Sequence, residues 1–227
     1  MISALIPAHN EAERIGLTIA ALRQIPQVTE ILVVDDGSTD STSRQAENAG
    51  ADIVFRQQWQ GKGDALNTAL ALAQGHILLL LDADLGATAT EARLLLEPVL
   101  QDTADMTIAT FPTLPGRGGG MGLVVRLARW GIRALTGHCM QAPLSGQRAV
   151  RREVVEACGG FATGWGVEVA LTVRALRLGY RVQEVPTRMS HRVTGRDLAA
   201  VCHRGKQFIS VARTLYHLAI EREHKHE

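Results

Sequence analysis

The chain has 227 residues, 46% hydrophobic and 21% charged, enough for one generous domain with a substantial core. Its net charge of +1 provides no overall field for nucleic acid or an acidic partner, so any phosphate recognition must be local. The three scattered cysteines, Cys139, Cys158 and Cys202, match neither a disulfide framework nor a zinc spacing and read as buried small residues in a reducing cytosol.

The N-terminus lacks a basic segment before its short apolar run, and no stretch approaches the ~20 apolar residues of a membrane span. The expected location is therefore cytoplasmic, with any membrane contact peripheral, at the inner face.

Residues 2–6 form a short apolar run stopped by Pro7, and residues 11–23 follow with Ile15, Ile19 and Leu22 at helical spacing. A second run at 31–34 ends in Asp35-Asp36-Gly37-Ser38. Thr39 or Asp40 then caps a helix to about Ala49. Residues 53–55 predict a third strand, 62–73 a helix and 77–81 a fourth strand ending in Asp82-Ala83-Asp84. Strands apolar on both faces and alternating with helices imply a mostly parallel sheet covered on both sides. Ligands of such sheets gather beyond the carboxyl ends of the strands, where three polar clusters fall.

The second half is less regular. Residues 88–100 read as a helix, 106–110 as a strand, 116–120 (GRGGG) as a loop, and 123–135 and 151–158 as helices. A glycine-rich shaped loop at 159–166 precedes a helix at 167–178, a strand at 181–185 and a long closing helix at 197–220. The last seven residues read as a frayed tail. No repeat or composition break divides the chain.

Asp82 and Asp84 leave a strand one residue apart and can face the same side. Their hard oxygens suit Mg²⁺ or Mn²⁺ against a diphosphate, or a solvated turn capping the next helix. Asp36 could accept hydrogen bonds from a nucleobase or ribose, while Ser38, Thr39 and Asp40 could also satisfy a plain turn and cap. Residues 7–11 supply the neighbouring loop. Gly61-Lys62-Gly63 opens a helix and suits a phosphate or another anionic edge.

The segments IPAHNEAERI, ILVVDDGSTDST, QGKGDALNTAL and LLLLDADL, in this order, resemble the family-two glycosyltransferases of GT-A fold. The resemblance implies one Rossmann-like α/β domain over 1–227. Residues 1–100 would bind a UDP- or GDP-linked sugar, and residues 101–227 would bind the acceptor and supply the C-terminal helix. It also implies that Pro7, Glu11, Asp36 and Lys62, with Ala8 and Asn10 of the same loop, line the nucleotide pocket. Asp82, Ala83 and Asp84 would form the metal-diphosphate motif, Asp84 being the more direct ligand.

The segments GLVVRLARWGIRALTG and PLSGQRAVRREVVEACGGF resemble prenyl-phosphate sugar transferases of the dolichyl-phosphate mannose synthase type. That group commonly has an acid before its Ser-Gly-x-Arg segment, where this chain has Ala142-Pro143-Leu144. A second resemblance, carried by GWGVEVALTVRAL and MSHRVTGRD, is to retaining glucosyl-3-phosphoglycerate synthases. It makes His191 a third metal ligand and Glu168 a catalytic-site acid, although no counterpart of the phosphoglycerate-binding loop is visible.

Arg126, Arg129 and Arg133 share a helical face beside Leu123, Leu127 and Trp130, which suits anionic lipid or an ordinary surface helix. Arg148 could hold an acceptor phosphate or a structural ion pair. Glu168 could act as general base toward a hydroxyl acceptor, or orient a phosphate acceptor that needs no base. Residues 191–196 could form a lid with Arg192 or Arg196 on the diphosphate. The expected activity is metal-dependent hexosyl transfer to an acceptor such as a polyprenyl phosphate. The alternatives are retaining glucosyl transfer to a small soluble acceptor, nucleotidyl transfer, or non-catalytic sugar-nucleotide binding. A homodimer stays open.

Overall fold

The computed structural model describes residues 1–111, 122–190 and 198–223. One seven-stranded sheet has the order β3-β2-β1-β4-β6-β5-β7. Its strands are β1 Ile2–Ala8, β2 Glu30–Asp36, β3 Ile53–Gln57, β4 Ile77–Leu80, β5 Met106–Thr110, β6 Arg148–Arg151 and β7 Val182–Pro186. The helices are α1 Ile15–Leu22, α2 Thr42–Asn48, α3 Lys62–Leu72, α4 Ala92–Leu100, α5 Gly122–Thr136, α6 Arg152–Ala157, α7 Val167–Arg177 and α8 Leu198–Glu223.

Alternation along each strand divides the core in two. Leu5, Leu32, Val34, Leu78 and Leu80 face α3, α5, α7 and α8, while Ile6, Ile31, Val33, Leu79 and Leu81 face α1 and α4. Pairing is parallel for β3-β2-β1-β4 and for β5-β7, whereas β6 runs antiparallel to both its neighbours. Strands from both halves of the chain thus share one sheet.

Several expectations are corrected. β1 runs through Pro7 to Ala8, because β4 pairs with β1 only as far as Leu5 and the β4 side needs no donor beyond it. The helix expected from residue 11 begins at Ile15, and the one expected from residue 88 begins as a 3-10 turn, Gly86–Glu91. β6 was hidden by its arginines: Arg148 is buried in the core, and Arg151 reaches Asp102 at 2.8 Å. Cys158 is buried as expected, but Cys139 is exposed. The loop at 116–120 and the final residues 224–227 lie outside the described residues.

Candidate functional site

The carboxyl ends of β1, β2 and β4 lie side by side, and their loops form a connected polar edge. Asn10 takes a left-handed backbone (φ 56°). Its amide nitrogen donates to Ser38 Oγ at 2.9 Å, and its side-chain oxygen accepts from the Thr39 amide at 2.8 Å. Glu11 donates its amide to Thr42 Oγ1 at 2.9 Å. The loop after β1 is therefore laced to the loop after β2.

The two acids of β2 hold backbone. Asp35 accepts from the Ser38 amide at 2.8 Å and from the Ser43 hydroxyl. Burial would raise its pKa, but these hydrogen bonds and the charge of Arg56 outweigh burial and hold it below the usual carboxylate value. Asp36 accepts from Gln57 Nε2 at 2.8 Å, the Gln60 amide at 2.9 Å and the Gly61 amide at 2.8 Å. Both its oxygens thus fasten the turn that leads into α3 and fix where Lys62 begins.

Lys62 is the meeting point. Its ammonium lies 2.7 Å from Asp82 Oδ1 and 2.8 Å from Glu168 Oε1. Desolvation works against the charge, but the two carboxylates prevail and raise its pKa above the ordinary lysine value. Close backbone approaches make this junction possible. A Cβ on Gly63 would come within 2.0 Å of Ala162 O, which brings the start of α3 onto the loop before Glu168. A Cβ on Gly146 would meet Lys62 Nζ at 2.4 Å and Asp82 Oδ1 at 3.1 Å. Only glycine leaves room for the ammonium and carboxylate together.

Asp82 is gripped from the other side as well. Gln147 Nε2 donates to Asp82 Oδ2 at 2.7 Å, and Gln147 Oε1 accepts from the Asp82 amide at 3.0 Å. The backbone of the acidic loop is pinned to α1: Thr18 Oγ1 donates to Ala83 O at 2.8 Å, and Arg14 Nη1 donates to Asp84 O at 3.1 Å. Gln147 lies inside the Ser-Gly-Gln-Arg segment that the sequence singled out, yet sequence reasoning gave it no role.

Arg148 has a different place from the one expected. It is 1% exposed. Its guanidinium donates to Ser145 O at 2.9 Å, Thr172 Oγ1 at 2.9 Å and Pro143 O at 3.4 Å. Burial pushes its pKa down to about 10, partly offset by Glu168 and Glu184. A side chain so enclosed braces the loop at 143–147. His191, Arg192 and Arg196 lie outside the described residues.

The hard carboxylate oxygens of the loop after β4 suit a divalent ion. Both oxygens of Asp82 carry donors, so an ion resting on Asp82 would take the place of the Lys62 ammonium, with Asp84 of the same loop as its neighbour. Among the described residues no group of three or more His, Cys, Asp or Glu could hold an ion. Phosphate and water oxygens would have to complete its shell, which is ordinary for Mg²⁺. On those terms the residues fit the ion.

An open parallel sheet with laced acidic loops at its carboxyl edge, joined to an antiparallel β6, is the architecture of a GT-A sugar-nucleotide fold. The chain belongs to glycosyl transferase family 2, whose model matches residues 3–159.

It is 33% identical over 204 residues to glycosyltransferase AglJ of Haloferax volcanii, covering 86% of this chain and 65% of AglJ, so the chain spans just under two thirds of that relative. It is 29% identical to the undecaprenyl-phosphate mannosyltransferase of Micrococcus luteus over 227 residues, 93% of each chain. Among solved structures it resembles glucosyl-3-phosphoglycerate synthase from Mycobacterium tuberculosis, crystallised in complex with Mg²⁺ and uridine diphosphate. The TM-score is 0.81 at 30% identity, over 96% of this chain and 79% of that one. A further structure of that synthase holds Mn²⁺, uridine diphosphate and phosphoglyceric acid.

Proposed function

We propose that this chain transfers a hexose from a nucleoside diphosphate sugar to an acceptor, with a polyprenyl phosphate as the leading acceptor. The observation that carries the reading is the junction of Asp82 and Glu168 on one ammonium, Lys62 Nζ, beside the loop that presents Asp84. A bound Mg²⁺ or Mn²⁺ would supply charge neutralisation for the departing diphosphate.

The protein's own part is positioning. Asn10 and Asp36 shape the nucleotide end, together with Pro7, Ala8 and Glu11. Lys62 and Gln147 hold the acidic loop, with Asp82-Ala83-Asp84 acting as the metal-diphosphate motif. Glu168 stands at the first turn of α7, where the helix dipole favours its charge. A phosphate acceptor is already ionised near neutral pH and needs no base. Glu168 would then orient the acceptor or the sugar. Toward a hydroxyl acceptor the same carboxylate would serve as general base. His191, Arg192 and Arg196 complete the proposal as third ligand and lid.

The mannosyltransferase relative, matched along nearly its whole length, supports the lipid-phosphate acceptor. The similarity to the phosphoglycerate-bound synthase supports a second reading, transfer to a small soluble phosphate-bearing acceptor. The two separate in one assay. Release of UDP or GDP is followed across a panel of donors, with and without polyprenyl phosphate. Lipid-dependent release is expected, and turnover on phosphoglycerate alone would transfer the proposal to the second reading.

A further inference from the structure

α5 and α8 lie side by side and meet where Gly131 faces Leu215: a Cβ on Gly131 would meet Leu215 Cδ1 at 2.4 Å. From that seam, helical spacing carries an apolar flank outward along each helix. On α5 it is Leu123, Trp130 and Ala134, all exposed, with the half-buried Leu127 at its inner edge against the core. On α8, Phe208 and Ala212 lie next to the seam, with Ile209 and Tyr216 beyond them. The inward faces are accounted for separately, since Val124, Ala128 and Ile132 of α5 and Val211 and Leu218 of α8 are buried in the core. Both flanks therefore open on the solvent side of the same seam. Trp130 is 68% exposed and Tyr216 65%.

The rim of this strip has one sign. Beyond the apolar flank, α5 turns out Arg126 and Arg133, and α8 turns out Arg213, all exposed. α5 contains no acid, and α8 contains none before Glu221, which pairs with Arg174 at 2.7 Å. A chain of net charge +1 has thus gathered cations around this pair of apolar helix flanks. A second copy docked about a two-fold axis would oppose arginine rim to arginine rim, which is unfavourable. An anionic bilayer offers negative headgroups to the rim and acyl chains to the strip.

The opposite face of α8 meets the site. Thr214 of α8 abuts Gly166, where a Cβ would meet Thr214 Oγ1 at 1.9 Å, and Gly166 is two residues before Glu168.

We infer that the outer faces of α5 and α8 together form one docking surface for an anionic lipid bilayer. The inference deepens the lipid-phosphate branch of the proposed function, but it is measured without turnover, so the two can fail separately.

The test is co-sedimentation of the whole chain with vesicles of phosphatidylglycerol and phosphatidylcholine, against vesicles of phosphatidylcholine alone. Binding to the anionic vesicles is expected, weakening as salt is raised. Arg126→Gln, Arg133→Gln and Arg213→Gln should each weaken it by about fivefold. Trp130→Ser on α5 and Tyr216→Ser on α8 are exposed changes and should each weaken it by about tenfold with folding intact by circular dichroism. No binding, or equal binding to neutral vesicles, overturns the inference. So does a Tyr216→Ser variant that binds like the parent, since α8 would then play no part. A dimer in light scattering that Trp130→Ser dissociates would make the strip a self-interface and overturn it as well.

Discussion

Lys62 Nζ and Asp82 Oδ1 stand 2.7 Å apart, and the same ammonium reaches Glu168 at 2.8 Å. The start of α3 thereby ties the loop after β4 to the first turn of α7. Lys62→Met would remove both bonds and leave two acids facing each other. We expect kcat/KM to fall about a hundredfold, the scale of a misplaced reacting group. Steady-state kinetics with a matched thermal melt would check this. Wild-type turnover would show that the ammonium is merely structural.

Asp84 should decide metal dependence. Calorimetric titration of UDP and GDP should show affinity that rises with Mn²⁺ and is lost on chelation. Asp84→Ala should flatten that dependence. Equal nucleotide affinity with and without metal in the parent chain would refute the metal-diphosphate reading.

Gln147 acts through Asp82. Gln147→Leu keeps the volume but deletes the two bonds at 2.7 and 3.0 Å. If Asp82 belongs to the proposed metal-diphosphate motif, loss of such a support should lower activity by about ten- to a hundredfold. A shift in apparent Mn²⁺ affinity should accompany the loss, whereas a residue that only packs would leave that affinity alone.

Arg148→Ala should cost fold stability before chemistry. It would leave a cavity and deprive Ser145 O and Thr172 Oγ1 of their donor, a loss of about 3 kcal/mol. Urea unfolding measures it. If stability is untouched while the acceptor KM rises steeply, Arg148 meets the acceptor after all.

Asp35 gives a pH signature. Its folded pKa lies below the ordinary 3.8, so its contribution is present above that value and is lost as pH falls through the folded pKa. Asp35→Asn should therefore be less stable than the parent by about 2 kcal/mol at neutral pH. The gap should close on acidification below pH 3.8. A gap independent of pH would assign the loss to shape rather than charge.

The alternation of apolar runs with helical spacing made β1 to β4 and their parallel order legible, because a strand covered on both faces has few other ways to read. The acids after Val34 and Leu81 were visible for the same reason, as polar breaks at the ends of buried strands. β6 was not legible. Its Arg148 and Arg151 look like surface residues until packing encloses one and pairs the other with Asp102. The partnership of Gln147 with Asp82 spans 65 residues of sequence and has no local pattern.

The sequence by itself determined the class of fold and the neighbourhood of the acidic loops, since periodicity and strand-end polarity are properties of short segments. Tertiary structure alone decided how Asp82 is held, which arginine is enclosed, and that Lys62 stands between Asp82 and Glu168. Those outcomes depend on a backbone meeting at Gly63 and on side chains packed against Gly146, and a close approach between distant segments leaves no mark in either segment alone.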